Sequence, residues 1–378
     1  MRRALLFLAL MSLPGAVEAQ SSQFGVRGLG YPGRALAVRA IGTGGGFGLM
    51  DPESSQNPAA LASVQNVTAV FTITHGRRTV ENPAGTASVQ DTRFPQLMVA
   101  GGVRPLPMVV GISFSNYTTR DFSLASSGTI DLRGVPVNVS DTLSSRGGLS
   151  DLRIAGSYRF GTRWAVGGGF HILTGSNRLS LTRRFDDPNL LASRQRTELS
   201  FAGVGLSVGV TRQFGPNFAV SAMARSDGHV NMDRDSARVG TIDLPYSAGL
   251  GLRWRLSPRL DFGGQALFRT WSGANSDLLA LGGTGAQNTV EAAVGAEYTT
   301  DSKQPFHRPL RIGAHYATLP FPLVPGEQGQ QFGLSVGSGV RLAQQRAGLD
   351  VALEHVWRSE GVYSENGFSL SLGVLVRP

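Results

Sequence analysis

From residue 66 onward the chain repeats one pattern: about ten residues of alternating character, then a turn. Tyr246, Ala248, Leu250, Leu252 and Trp254 alternate with Ser247, Gly249, Gly251, Arg253 and Arg255. Phe332, Leu334, Val336 and Val340 alternate with Gly333, Ser335, Gly337 and Arg341. A period of two predicts strands. No segment carries a helical apolar stripe over three turns, so helices are few. The second face of the strands is rich in Gly, Ser and single charges, among them Arg153, Arg159, Asp261, Arg269, Glu291 and Glu297. A soluble sandwich buries its apolar face, whereas a barrel in lipid turns that face outward and encloses the polar one. Aromatic residues gather near strand ends (Tyr117, Tyr158, Phe160, Trp164, Trp254, Trp271, Tyr298, Tyr316, Trp357), as interfacial girdles require.

The connections alternate in length. Short turns are predicted at Pro105–Pro107, Gly161–Arg163, Gln213–Asn217, Ser257–Pro258, Thr300–Arg308 and Gln344–Arg346. Long polar loops are predicted near His75–Phe94, Thr118–Gly148, Thr174–Thr197, Ser226–Leu244, Ser272–Gln287, Leu319–Gly329 and Arg358–Asn366. Outer-membrane barrels place short turns in the periplasm and long loops outside the cell. The pattern predicts an all-β, transmembrane antiparallel barrel of about 14 strands with both termini periplasmic. One strand changes phase: Leu199 and Phe201 share one parity, while Val204, Leu206, Val208 and Val210 take the other. Either a bulge near Ala202–Gly205 or a strand apolar on both faces accounts for this.

Composition agrees with a barrel. Glycine supplies 50 of 378 residues, charged residues are 16% of the chain, and cysteine is absent. The lack of cysteine excludes disulfides, thiolate metal sites and cysteine nucleophiles. The net charge of +9 is almost all arginine, Lys303 being the one lysine. The arginines are scattered singly, so no nucleic-acid partner is expected. Arg2, Arg3 and the apolar run Ala4–Leu13, followed by Val17-Glu18-Ala19, predict a cleaved export signal over residues 1–19. Residues 20–65 follow it and 66–378 form the barrel. The expected location is the outer membrane of a Gram-negative-type envelope.

Residues 20–65 do not alternate. Their glycines suit a backbone folded into a confined space, and Phe24, Leu29, Tyr31, Leu36, Phe47 and Leu49 argue for burial. This segment is predicted to be a hatch inside the barrel. The stretch Arg34 to Ala62, with Gly44, Gly45, Gly46, Asp51, Asn57, Pro58 and Ala59, resembles the N-terminal hatch signature of the outer-membrane long-chain fatty-acid transporter superfamily (FadL type). Pro309 to Gly326 resembles the same family's late strand and proline-containing loop. The resemblance implies a 14-stranded barrel with a hatch. The superfamily also includes PorV- and PorQ-type barrels, partner-binding components of type IX secretion. The chain ends Leu375-Val376-Arg377-Pro378 rather than in the terminal aromatic usual for such barrels.

Candidate site residues follow from the barrel. Arg153, Arg253, Arg311, His315, Arg341 and Glu291 are placed in the lumen by parity. Leu278, Leu279 and Leu281 lie in one long loop, and Leu319, Phe321, Leu323 and Val324 in another. They either capture a hydrophobic ligand or cap the barrel by packing on one another. The acids of Asp227-Gly-His229 and Asp233-Arg-Asp235 lack the spacing of a calcium loop and read as a solvated acidic–basic loop. No hydrolase motif is present, so no enzyme, metal or cofactor is expected. Three functions fit. The first is an outer-membrane channel for passive uptake of hydrophobic, fatty-acid-like or hydrocarbon-like molecules, its partners being that ligand and membrane lipid. The second is a PorV-type barrel that holds a secreted protein. The third is a general diffusion porin.

Overall fold

The structure, a computed structural model, describes residues 22–300, 308–343 and 346–378. The expected export signal, the expected first mature residue Gln20, Lys303 and part of the turn at residues 344–346 lie outside the described residues. Fourteen antiparallel strands form a closed barrel. They are β1 (Thr68–Asn82), β2 (Gly85–Val103), β3 (Met108–Thr119), β4 (Val135–Phe160), β5 (Trp164–Phe185), β6 (Ser193–Phe214), β7 (Phe218–Ser226), β8 (Tyr246–Ser257), β9 (Leu260–Arg269), β10 (Thr289–Thr299), β11 (Pro309–Thr318), β12 (Gln330–Leu342), β13 (Ala347–Glu360) and β14 (Tyr363–Val376). Pairing of β14 with β1, from Ser364↔Glu81 to Val376↔Ala69, closes the wall.

Strand parity divides outside from inside. Ile312, Leu334, Leu250 and Val294 are exposed on the outer surface, whereas Arg153, Arg311, His315, Glu291 and Ser335 are buried within. A barrel wall is one sheet, so each strand needs both faces only once: apolar toward lipid, polar or small toward the lumen.

Four of the predicted long loops are largely strand; in one, 358–366, β13 and β14 pair up to Glu360↔Tyr363 around a two-residue turn. Residues 75–94 belong to the β1–β2 hairpin. Phe122–Leu132 pairs with β4 inside the stretch read as the loop 118–148, and residues 174–197 continue β5 and β6. A fifth, 226–244, folds as a hairpin of His229–Arg234 and Ala237–Asp243. The physical reason is that strand pairing continues past the apolar band, where no lipid demands an apolar face. Alternation fades there although the backbone ladder does not.

The phase change on β6 is not a bulge in that strand. Its register against β5 is constant from Trp164↔Arg212 to Arg183↔Ser193. Val204, Leu206 and Val208 point out, while Leu199 and Phe201 point in and are buried. The apolar side switches from the outside to the inside where the strand rises above the outer band. The irregularity lies in the neighbour, at Asp227–Gly228, where β7 gives way to His229–Arg234.

Candidate functional site

The N-terminal segment packs against the inward face of the wall. Gly44 has φ +65°, and a Cβ there would lie 2.5 Å from the Ala314 backbone nitrogen of β11. A Cβ on Gly46 would lie 2.6 Å from the nitrogen of Gly295 on β10. Only glycine permits both the turn and the approach. Gly45 (φ +98°) carries the same turn. Asn57 caps the short helix Pro58–Ser63: its Oδ1 accepts from the Ala59 N–H at 3.0 Å and its Nδ2 donates to the Leu49 carbonyl at 2.9 Å. Pro58 occupies the first helical turn, where its missing N–H costs nothing. Asp51 accepts from the Ser54 hydroxyl at 2.8 Å. Asp51, Asn57, Pro58 and Ala59 therefore fix the fold of the segment itself.

Arginines tie the segment to the wall. Arg39 forms a forked pair with Glu297 of β10, at 3.0 and 2.7 Å. Glu297 also accepts from Arg311 at 2.7 Å. Arg311 reaches Asp350 at 2.7 Å, which also takes Arg341 at 2.8 Å. Arg34 pairs with Glu291 at 3.1 Å and Glu354 at 3.2 Å, beside His315. Of the predicted lumen residues, Arg311, Arg341, Glu291 and His315 join these networks. Arg253 instead pairs with Asp261 of the adjacent strand. Burial and the neighbouring Asp51 hold the Glu53 carboxyl above the ordinary carboxylate range, and burial does the same for Asp51.

Arg153 belongs to a separate polar layer. Its Nε donates to Ser113 at 3.2 Å, and its Nη1 is buried without a partner. Beside it, His171 Nδ1 lies 2.9 and 3.0 Å from the two Asp151 oxygens, and its Nε2 lies 2.9 Å from Ser207 Oγ. That is the hydroxyl–imidazole–carboxylate spacing of a nucleophilic relay, which no sequence motif announced. The wall backbone around Ser207 is committed to strand pairing, which leaves no pair of free N–H donors for an oxyanion. All three side chains are buried, and the group ties β4, β5 and β6 together.

Toward the end with the longer strands the lumen turns apolar. Leu29 of the segment, Leu199, Phe201, Trp271, Leu278 and Phe321 share one buried cluster. The Trp271 and Phe321 rings meet edge to face with centroids 5.1 Å apart. Leu319 packs instead on Phe24 and Tyr31, with Leu323 against them. Leu278, Leu319 and Phe321 are thus buried and Val324 half-buried, while Leu279 and Leu281 remain exposed. Two aromatics expected in the girdles are inside instead. Trp271 is buried, and Tyr117 packs on it and donates to Asp227 at 2.9 Å. Asp227 is likewise buried and takes Arg225 at 2.6 Å, so it does not sit on a solvated loop. Trp271 lies three residues past outward-facing Phe268, so parity alone would have placed it inside.

Among the described residues the wall is incomplete between β2 and β3. β2 and β3 pair only from Val103↔Met108 to Gln96↔Ser115. Beyond Asn116, β3 pairs with Tyr31–Pro32 of the segment, and Gly33 N–H donates to the Tyr117 carbonyl at 2.8 Å. The upper part of β2 has β1 as its one partner. Next to the unpaired edges lies a cavity of about 120 Å³, lined by Pro95, Arg93, Thr74, Asn116 and Pro32 among others. A second, of about 70 Å³, shares Pro32, Gly33 and Asn116 with it and reaches Tyr117 and Trp271 of the apolar layer.

This geometry matches solved structures. A Pseudomonas aeruginosa FadL homologue superposes with a TM-score of 0.64 at 14% identity, covering 92% of this chain and 99% of its own. The Ralstonia pickettii toluene transporter TbuX gives 0.59 at 13% identity, with 91% and 98% covered. The monoaromatic hydrocarbon channel CymD gives 0.56 at 16% identity, with 93% and 99% covered. The chain has the fold of these FadL-type channels. No protein-family model matches the sequence, and no curated protein matches it significantly.

Proposed function

We propose that the protein is an outer-membrane channel for passive uptake of hydrophobic small molecules, with the long-strand end outside the cell. The observation that carries this reading is the switch of apolar residues from the outer to the inner face of the wall above the membrane band. A pore for hydrophilic solutes gains nothing from lining its mouth with Leu199, Phe201, Trp271 and Phe321. An apolar solute loses its unfavourable hydration there. The similar TbuX and CymD carry toluene and monoaromatic hydrocarbons, as their names state. From the apolar layer the solute passes the two cavities and leaves sideways between β2 and β3, at the upper edge of the lipid-facing band. The segment Ser22–Val64 acts as a hatch that closes the direct path through the lumen.

The test is uptake of labelled toluene and of a labelled long-chain fatty acid by cells carrying the protein. Pro95→Trp and Asn116→Trp fill the gap between β2 and β3. Either variant should lower uptake at least about tenfold while the folded barrel persists on gels. Undiminished uptake removes the lateral route. A barrel that serves only to hold a secreted protein would show no uptake in the wild type.

A further inference from the structure

We infer that the outward surface of β4, β5 and β6, just above the apolar band, binds the phosphate groups of phosphorylated glycolipid in the outer leaflet. The inference rests on the outer-membrane placement but not on any transported solute. Arg146 and Arg178 stand directly opposite each other on β4 and β5, and Arg196 is opposite Ser180, one step along the same face from Arg178. Arg194 follows, opposite Thr182, with its Nε donating to Ser180 at 3.2 Å. Parity puts all four on the side of exposed Ile154, Phe170 and Val204. Arg178 is 76% exposed.

Position matters as much as charge. On β5 the outward residues run from Trp164 to Thr174, about 33 Å of strand, which a tilt of roughly 40° converts to the usual 25 Å band. Arg178 is four residues higher, about 10 Å above the band, and a guanidinium on its flexible stem reaches back toward the headgroups. Direct cross-strand opposition of like charges is unfavourable in a sheet. Arg146 facing Arg178 is relieved by an anion that bridges the two. Nearby acids are few: Glu198 pairs with Arg178 at 3.4 Å, Asp233 is engaged by Arg238, and Asp121 lies at the Arg146 edge. Elsewhere on the rim, β11 to β13 present Tyr316, Phe332 and Trp357 outward and no arginine. Juxtamembrane arginines attract anionic headgroups, each adding to the binding, and guanidinium groups suit phosphate by forked hydrogen bonding.

The probe is diphosphorylated lipid A, titrated into the purified full-length protein in uncharged detergent. Changing Arg146, Arg178 and Arg196 together to Ser should weaken binding at least about tenfold. Changing the same three to Lys should restore only part of it, the share due to charge without the forked geometry, and Arg77→Ser, three strands away on β1, should leave it unchanged. Lipid A stripped of both phosphates should bind the wild type no better than the intact lipid binds the triple Ser variant. Heat-modifiable gel mobility verifies that each variant is folded. The inference is overturned by binding of the triple Ser variant within about twofold of wild type, or by equal binding of the dephosphorylated lipid. It is equally overturned if inorganic phosphate alone binds as tightly as the lipid.

Discussion

The N-terminal segment meets the wall through ion pairs and through apolar packing, and the balance between the two differs from one end to the other. On the short-turn side directed charge joins apolar packing: Arg39 to Glu297, then Arg311, Asp350 and Arg341 in one chain of pairs, with glycine backbone pressed on the wall and Leu61 and Val64 packed on Val70, Met98 and Leu375. On the long-strand side apolar contact dominates, with Leu29 against Trp271, Leu278 and Phe321, and Ser22 and the Gln23 N–H add hydrogen bonds to buried Glu365 at 2.6 to 3.0 Å. Buried ion pairs fix geometry, because removing one partner strands a charge at about 3–5 kcal/mol. Apolar contacts are non-directional and can be exchanged for those of a solute. The ion-paired end is therefore the more costly one to displace, and the apolar end the one whose contacts a hydrophobic solute can replace.

Deleting Phe24 to Asp51 should have the largest effect, since it removes both kinds of contact while every wall strand begins later. Single-channel conductance to small ions should rise at least about tenfold, as a barrel of this size without internal filling leaves an aqueous path. No increase, in a barrel shown to be folded, would mean that the segment does not obstruct the lumen. Next comes Glu297→Gln. It leaves Arg39 and Arg311 competing for a neutral amide, a loss of about 3–5 kcal/mol for a broken buried pair. Planar-bilayer recordings should show open bursts absent from the wild type, with hydrophobic uptake little changed. Silent channels would show that the remaining contacts, the Arg34 pairs and the glycine and apolar packing, hold the segment without Glu297.

Phe321→Ala makes the converse change on the apolar side. Removing a buried phenyl ring costs about 3–5 kcal/mol of local packing, but no charge pair is touched. Uptake of toluene should fall several-fold while ion conductance stays at wild-type level. A rise in conductance would show that the apolar layer, not the ion pairs, seals the pore.

The two regions also differ in how far the sequence revealed them. The strands and short turns were legible because lipid outside and polar lumen inside impose a period of two on every wall segment. The inward parity of Arg311, His315, Arg341 and Glu291 followed directly. What parity could not supply was partners: Arg39 meets Glu297 across 258 residues, a match set by barrel closure and by the path of the segment. The apolar mouth was half legible. The phase change on β6 was visible, but its meaning depended on knowing where the strand leaves the membrane. Trp271 was misplaced in a girdle because its position near a strand end outweighed its parity. The strands above the band were missed for the same reason that they exist: nothing outside them requires an apolar face.

The smallest effect concerns Glu53, on the charged side of the comparison. Burial and the adjacent Asp51 raise its carboxyl above the ordinary value of 4.5. The buried segment thus favours the protonated acid more than a released, solvated segment does. By linkage, this contribution to docking is fully present below pH 4.5 and is lost as the pH rises through the elevated value. Conductance bursts should therefore become more frequent as the pH is raised from about 4.5 toward neutrality and should level off beyond it. Glu53→Gln keeps the neutral shape at every pH and should flatten most of that rise, leaving the part due to Asp51, whose carboxyl is raised by burial in the same way. Arg341 and Arg39 oppose the effect by favouring the charged form, and Arg377 lies 3.6 Å away, so Arg341→Gln should carry the rise to higher pH. A pH profile identical in wild type and Glu53→Gln would show that this carboxyl ionises without loosening the segment.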